Sequence, residues 1–193
     1  MICNGVAIYS GAIKNPKDVI DIVESVLANE FNTNFAWEKS TVVHSDGLVS
    51  TSDVRTNSIL ALAVAGSDIH SSALKYVNNL LHESFTECLY DFLVKFNINA
   101  NPRTSTNYSI LKYSKTEKYI HHLDHSENTP RKVSAVGYLN DDFLGGELDF
   151  DKLEFNYSPV AGDIVVFPSV KPYSHASMPI QDGVKYSVVN WWS

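Results

Sequence analysis

Val19, Ile22, Val23, Val26 and Leu27 fall at helical spacing in KDVIDIVESVLANEF, the rhythm of one apolar helix face. Asn15-Pro16 stands immediately before this segment. Asparagine offers a capping oxygen, and proline suits the first helical turn, where its missing amide is no loss, so a helix is predicted to start at Pro16. A second stripe, Leu74, Val77, Leu81, Phe85, Cys88, Phe92 and Phe96, predicts a longer helix from near Asp68 toward Phe96. Both stripes read as core packing without a chemical role.

From Thr104 onward the rhythm changes. TSTNYSILKY, KYIHHLD, KVSAVGYL, ELDF, DIVVFP and KYSVVNWW are short runs rich in β-branched and aromatic residues. Turn formers punctuate them in NDDFLGGE, SPVAGD and QDG. Two helices followed by many short strands predict a mainly β fold of the α+β class, an antiparallel sandwich or barrel buttressed on one side by helices. No repeat or low-complexity linker divides the chain, and 193 residues suit one domain, 1–193.

Composition mainly excludes. Hydrophobic residues at 44% and charged residues at 19% are ordinary for a globular chain. A formal net charge of −7 argues against a broad nucleic-acid surface. No run approaches the roughly eighteen apolar residues of a membrane span, and MICNGVAIYSGAI has no basic segment ahead of an apolar one. The expectation is a soluble, cytoplasmic protein. Cys3 and Cys88 make no disulfide framework, and Cys88, on the helical stripe, is expected to be a buried, inert thiol.

Candidate chemistry concentrates in YIHHLDH, Tyr119 to His125. If KYIHHLD is a strand, side chains alternate, so His122 and Asp124 share one face while His121, Leu123 and His125 share the other. An imidazole and a carboxylate suit a divalent transition ion, but one strand cannot supply a third ligand. The best distal candidate is His175 in YSHASMP. Two histidines and a carboxylate that leave positions open match the set of non-haem Fe(II) oxygenases. Taken alone, a His-x-Asp pair more often hydrogen-bonds on a surface. His121 and His125 read as solvated or as neighbours of the ligands, and His44, His70 and His82 as structural or exposed. Lys185, ten positions after His175, sits in an apolar and aromatic run. A buried lysine there needs an anion, which a bound dicarboxylate supplies; in isolation, a lysine opening an edge strand and reaching for water is the simpler reading.

Taken in order, RTN (Arg55 to Asn57), YSKTEKYIHHLD, RKVSAVGYLNDDFLGGELDF, PVAGDIVVFPS and HASMPIQDGVKYSVVNWW resemble the 2-oxoglutarate- and Fe(II)-dependent oxygenases, specifically their prolyl 4-hydroxylase-like branch. The resemblance covers nearly the whole C-terminal half and one N-terminal anchor. It implies a double-stranded β-helix, a jelly-roll-like core with the N-terminal helices packed on one sheet and iron at the open end. It implies His122, Asp124 and His175 as the catalytic metal ligands. Lys185 matches the residue that pairs with the distal carboxylate of 2-oxoglutarate, and Tyr113 matches a tyrosine whose hydroxyl helps hold it. Arg55, Arg131 and Trp191 fall where relatives line the substrate channel. Residues 1–103 then provide helical support and a substrate flap, and 104–193 the metal- and co-substrate-binding β core. Two departures stand out: YSKTEKY lacks a glycine usual in relatives, and Leu148 replaces a threonine near the co-substrate.

The reaction so implied hydroxylates a substrate C–H bond with release of succinate and carbon dioxide, using Fe(II), 2-oxoglutarate and dioxygen, with ascorbate as reductant. Lysine rather than arginine as the anion partner, with the acidic net charge, turns the expectation toward a peptide or protein substrate, a prolyl residue first. The same chemistry on a non-prolyl residue or a small molecule is the alternative; nucleic acid and membrane are not expected partners. Two other classes compete. A non-catalytic jelly-roll module with a structural metal has no use for Lys185, and a zinc hydrolase lacks a general base such as the Glu of His-Glu-x-x-His. Asp53 to Asn57 is read as part of a flap over a peptide groove. Trp191-Trp192 suit packing within the chain or against another subunit, which leaves the oligomeric state open.

Overall fold

Helix α1 (Pro16–Leu27) begins at the expected proline and buries Val19 and Val23. Asn15 precedes it without using its side chain as a cap: its backbone is left-handed, at φ 47°, and its carbonyl accepts the Asp18 amide at 3.0 Å. Helix α2 (Ser72–Phe96) buries Leu74, Val77, Leu81, Phe85, Cys88 and Phe92 on the expected stripe, with Leu89 added. The computed structural model describes residues 1–28, 36–43, 49–50, 53–62, 72–101 and 108–193. The expected start of α2 at Asp68, together with His44 and His70, lies outside the described residues.

Strands do not wait for Thr104, which corrects the order of two helices followed by strands. β1 (Ile2–Cys3) and β2 (Val6–Tyr9) precede α1, and β3 (Glu38–Lys39), β4 (Val42–Val43), β5 (Val49–Ser50) and β6 (Ser58–Ala61) lie between the helices. The physical reason is pattern length. β2 is an unbroken buried run and most of the others have two residues, so neither shows a period of two.

The C-terminal half continues with β7 (Ser109–Tyr113), β8 (Tyr119–His122), β9 (Val133–Tyr138), β10 (Leu144–Gly145) and β11 (Leu148–Phe150). It ends with β12 (Phe155–Tyr157), β13 (Ile164–Pro168), β14 (His175–Ser177), β15 (Ile180–Asp182) and β16 (Lys185–Trp192). Eight strands form the major sheet in the order β1-β2-β13-β9-β16-β7-β6-β3, and four form a minor sheet, β12-β11-β14-β8. The strand pairs within both sheets are antiparallel.

Alternation along the major sheet builds two cores. In β13, Ile164 and Val166 join a cluster with α1 and α2 residues such as Val23, Phe85 and Phe92. Val165 and Phe167 turn the other way and pack with Leu148, Phe150 and Tyr157 of the minor sheet. Burial on both faces explains why DIVVFP and KYSVVNWW read as nearly continuous apolar runs. At one end of the space between the sheets a third cluster forms from Leu111, Tyr113, Ile180 and Val189. That end holds the candidate chemistry. Among the described residues, no helix is long and apolar enough to cross a membrane.

Candidate metal centre and co-substrate pocket

β8 and β14 pair so that His122 lies directly opposite His175. β8 ends at His122, so Asp124 is presented from a bend just beyond the strand. Its carboxylate still converges on the two rings, with Oδ1 3.4 Å from His122 Nε2 and Oδ2 3.5 Å from His175 Nε2. One donor atom from each residue falls within 4.8 Å of the others, and this is the one such His/Cys/Asp/Glu group among the described residues.

Both rings are set the same way round. His122 Nδ1 faces the Ile120 carbonyl at 2.8 Å, and His175 Nδ1 faces the Tyr173 carbonyl at 3.1 Å. A carbonyl only accepts, so Nδ1 carries a proton and Nε2 is the ring nitrogen turned toward Asp124. Burial pushes the His175 imidazole down to about 4, which keeps it neutral at neutral pH. Burial opposes charge on Asp124, but the imidazoles of His175 and His122 and the Ser134 hydroxyl hold its carboxyl well below the usual carboxylate range. Ser134 Oγ donates to Asp124 Oδ2 at 2.7 Å and lies 2.8 Å from Ser169 Oγ. His121 instead pairs with Asp149 at 2.7 Å, His125 lies against the Arg131 backbone, and His82 meets the Tyr108 hydroxyl.

Lys185 opens β16, which runs between β9 and β7 in the interior of the major sheet. The edge-strand reading is therefore corrected. The lysine is 2% exposed, and its Nζ donates to the Gly146 carbonyl and the Ser177 hydroxyl at 2.5 and 2.9 Å. Among the described residues no carboxylate lies within ion-pairing distance of it, and burial pushes the ammonium down to about 7. Tyr113 is its cross-strand partner, with the ring centroid 5.2 Å from Nζ. Burial raises the Tyr113 phenol to about 12. Tyr138 is fully buried, with its ring 5.4 Å from Nζ and its hydroxyl without a hydrogen-bond partner among the described residues.

Arg55, Arg131 and Trp191 line the same cavity of about 100 Å³. The Arg131 guanidinium lies 3.9 Å from the Trp191 ring centroid, and one of its nitrogens is 3.4 Å from the Asp124 carbonyl. Arg55 bridges to Tyr119 across strands, with its guanidinium 4.8 Å from that ring, which itself stacks on His122 at 3.5 Å. Within Asp53 to Asn57, Val54 accepts the Ile120 amide and Thr56 donates to the Lys118 carbonyl, so this segment lies along the free edge of β8.

Residues 108–193 match the family model of the 2OG-Fe(II) oxygenase superfamily. This segment belongs to that superfamily. Solved structures agree on the fold. A viral collagen prolyl hydroxylase from Paramecium Bursaria Chlorella virus-1 superposes at a TM-score of 0.63 with 16% identity, over 100% of this chain and 98% of that one. A Pseudomonas putida prolyl-4-hydroxylase gives 0.67 and 18%, over 97% and 91%. A Trichoplax adhaerens prolyl hydroxylase in complex with a hypoxia inducible factor peptide fragment gives 0.65 and 18%, over 98% and 83%. No curated protein sequence matches the chain significantly.

The residues of this oxygenase segment fit the superfamily's iron on their own chemistry. Two inward Nε2 atoms and a carboxylate form a mixed nitrogen–oxygen donor set within binding reach. One wall also sets a buried ammonium beside a phenol that has no partner among the described residues, donors that suit a carboxylate. Sequence reasoning missed four contributors: Ser134, Ser177, Tyr119 and Tyr138. Alternation along β9 carries the missing signal for two of them, since Ser134, Val136 and Tyr138 share the face that meets the site. Leu148 lines the same wall as an apolar side chain with no hydroxyl to offer.

Proposed function

We propose that the chain is a 2-oxoglutarate- and Fe(II)-dependent dioxygenase that hydroxylates a substrate C–H bond, a prolyl residue of a peptide or protein first. On this reading residues 1–193 form one catalytic domain. The observation that carries the proposal is the pairing, in one cavity, of a His/Asp/His donor set with a buried lysine that has no carboxylate within ion-pairing distance among the described residues. A purely structural metal needs no such lysine, because an unpaired buried ammonium only costs stability.

His122, Asp124 and His175 would hold the metal. Bound iron with 2-oxoglutarate and dioxygen supplies the oxidation of C–H to C–OH, with 2-oxoglutarate converted to succinate and carbon dioxide. Lys185 receives the distal carboxylate of the co-substrate through a charge-assisted hydrogen bond, and the Tyr138 and Tyr113 hydroxyls add neutral ones. Ser134 restrains the Asp124 carboxylate through the 2.7 Å bond to Oδ2. Leu111, Val136, Leu148 and Val189 form an apolar wall that excludes water from the reacting centre. Arg55, Arg131 and Trp191 orient substrate at the mouth. The peptide substrate is supported by the fold shared with a prolyl hydroxylase solved with a peptide fragment.

The test is a screen of proline-containing peptides and free metabolites, read by succinate release and by mass spectrometry for the gain of one oxygen. Oxygen on a prolyl residue supports the full reading; oxidation only of a free small molecule overturns the peptide substrate. Undiminished substrate-dependent succinate release in His175→Ala overturns the metal-ligand assignment.

A further inference from the structure

We infer that the substrate of this site carries a carboxylate, held between Arg55 and Arg131 beside the reacting C–H bond. The inference rests on the oxygenase reading and deepens it.

Among the described residues, the charges lining the cavity are uneven: Arg55, Arg131 and Lys185 face a single carboxylate, Asp124. A divalent metal and a dicarboxylate co-substrate cancel one another in charge. Lys185 is then used by the co-substrate and Asp124 by the metal, so the loaded site keeps both guanidinium charges unmatched. The surrounding protein does not explain this, since the chain carries a net charge of −7. Positive charge has been concentrated at this mouth against the overall balance.

Among the described residues, Arg55 has no carboxylate within ion-pairing distance, and Arg131 meets only Asp124, the proposed metal ligand. Arg55 is held by neutral acceptors, the Asn57 side-chain oxygen and the Thr41 carbonyl, both at 3.3 Å. Arg131 reaches the Asp124 carbonyl at 3.4 Å and the carboxylate only at 3.9 Å. Both guanidiniums line the same cavity as the Tyr119 ring. Each is also braced by an aromatic ring, Trp191 for Arg131 and Tyr119 for Arg55. Two braced forks with spare donors, converging on one space, match the planar geometry of a carboxylate. A neutral backbone carbonyl would accept from one fork and leave both charges unmatched.

The carboxylate has two possible sources, an acidic side chain next to the target residue or the terminal carboxylate of a short peptide. The experiment separates them. The full chain is loaded with saturating Mn(II), which supports binding without turnover, and with 2-oxoglutarate, and loading is followed by the Mn(II) electron paramagnetic resonance signal. Calorimetry then compares a capped neutral Ala-Pro-Ala tripeptide, the same peptide with a free C-terminal carboxylate, a capped Ala-Pro-Asp and a capped Ala-Pro-Lys. One or both carboxylate forms should bind about tenfold tighter than the neutral peptide, the scale of one added charge-assisted contact, and which one does so names the source. Arg55→Gln and Arg131→Gln should each erode that preference, and Arg55→Glu should shift it toward Ala-Pro-Lys. Equal binding of neutral and carboxylate forms, no binding of either, or a preference that survives both glutamine variants overturns the inference while leaving the oxygenase reading intact. Failure of Mn(II) and 2-oxoglutarate to bind at all overturns both.

Discussion

Replacing Lys185 by methionine should stabilise the metal-free protein while abolishing its hold on 2-oxoglutarate. The lysine is 2% exposed and has no carboxylate partner among the described residues, so its ammonium falls from 10.5 to about 7. At roughly 1.4 kcal/mol per pH unit, that fall corresponds to a penalty on the order of 5 kcal/mol for the charged form. Methionine fills similar space without the charge. It also leaves the Gly146 carbonyl and Ser177 hydroxyl without this donor, which costs about 1–3 kcal/mol. The expected net gain at pH 7 is on the order of 2 kcal/mol.

The sign of the pH dependence follows. The folded lysine releases its proton near pH 7, the unfolded one near 10.5, so between them the unfolded chain binds more protons and wild-type stability rises with pH. The stability difference in favour of Lys185→Met should therefore fall by about 3 kcal/mol between pH 7 and 9.5, which reverses its sign. Urea denaturation of both proteins with a chelator present, at half-unit steps of pH, measures this. Groups common to both proteins cancel in the difference. Adding Mn(II) and 2-oxoglutarate should flatten the wild-type rise, because a bound carboxylate retains the proton on Lys185. A difference that stays constant from pH 7 to 9.5 refutes the buried-charge reasoning.

Ser134→Ala removes the 2.7 Å restraint on Asp124 and should weaken Mn(II) affinity about 10- to 100-fold, read by electron paramagnetic resonance titration, with little change in melting temperature. Gly146→Ala forces a side chain onto a left-handed backbone at φ +70° and sets its Cβ 2.6 Å from Ile180 Cδ1 and 3.1 Å from Lys185 Cδ. It should cost roughly 1–2 kcal/mol in backbone strain and weaken 2-oxoglutarate binding, measured by calorimetry. Glu24 on α1 accepts from Lys112 and the Tyr186 hydroxyl at 2.7 and 2.6 Å, tying the helix to the sheet. Burial opposes its charge, but these partners hold its carboxyl below the ordinary glutamate value, so its contribution is present above that value and is lost as pH falls through the folded one. Glu24→Gln should cost about 1 kcal/mol at pH 7, screened by its exposure, and the difference should close on acidification.

Long periodic elements were legible from the chain. The α1 and α2 stripes each exceed two helical turns, long enough for a spacing of three and four to exclude strand. The strands after Thr104 were legible because turn residues separate them. β1 to β6 were not, because two to four residues carry no period. Lys185 shows the same limit in the site. Its neighbours KYSVVNWW look alike whether β16 is central or at an edge, and only the pairing with both β9 and β7 makes the lysine buried.

The identity of the proposed donors was written locally: a short segment offers His122 and Asp124, residue types that suit a transition ion. Convergence was not. β8 ends before Asp124, so a bend, together with the Ser134 bond from β9, turns its carboxylate onto His122 and His175. The pairing of His122 with His175, and of Lys185 with Tyr113, depends on strand register, which is settled by which faces the two cores bury. Tyr138 marks the division most sharply. Along the chain it is one aromatic among many in a β run; in the fold it becomes a phenol beside an ammonium, neither with a side-chain anion in reach among the described residues. Residue chemistry is a local property of the sequence, but desolvation and mutual distance arise only when distant strands are brought together.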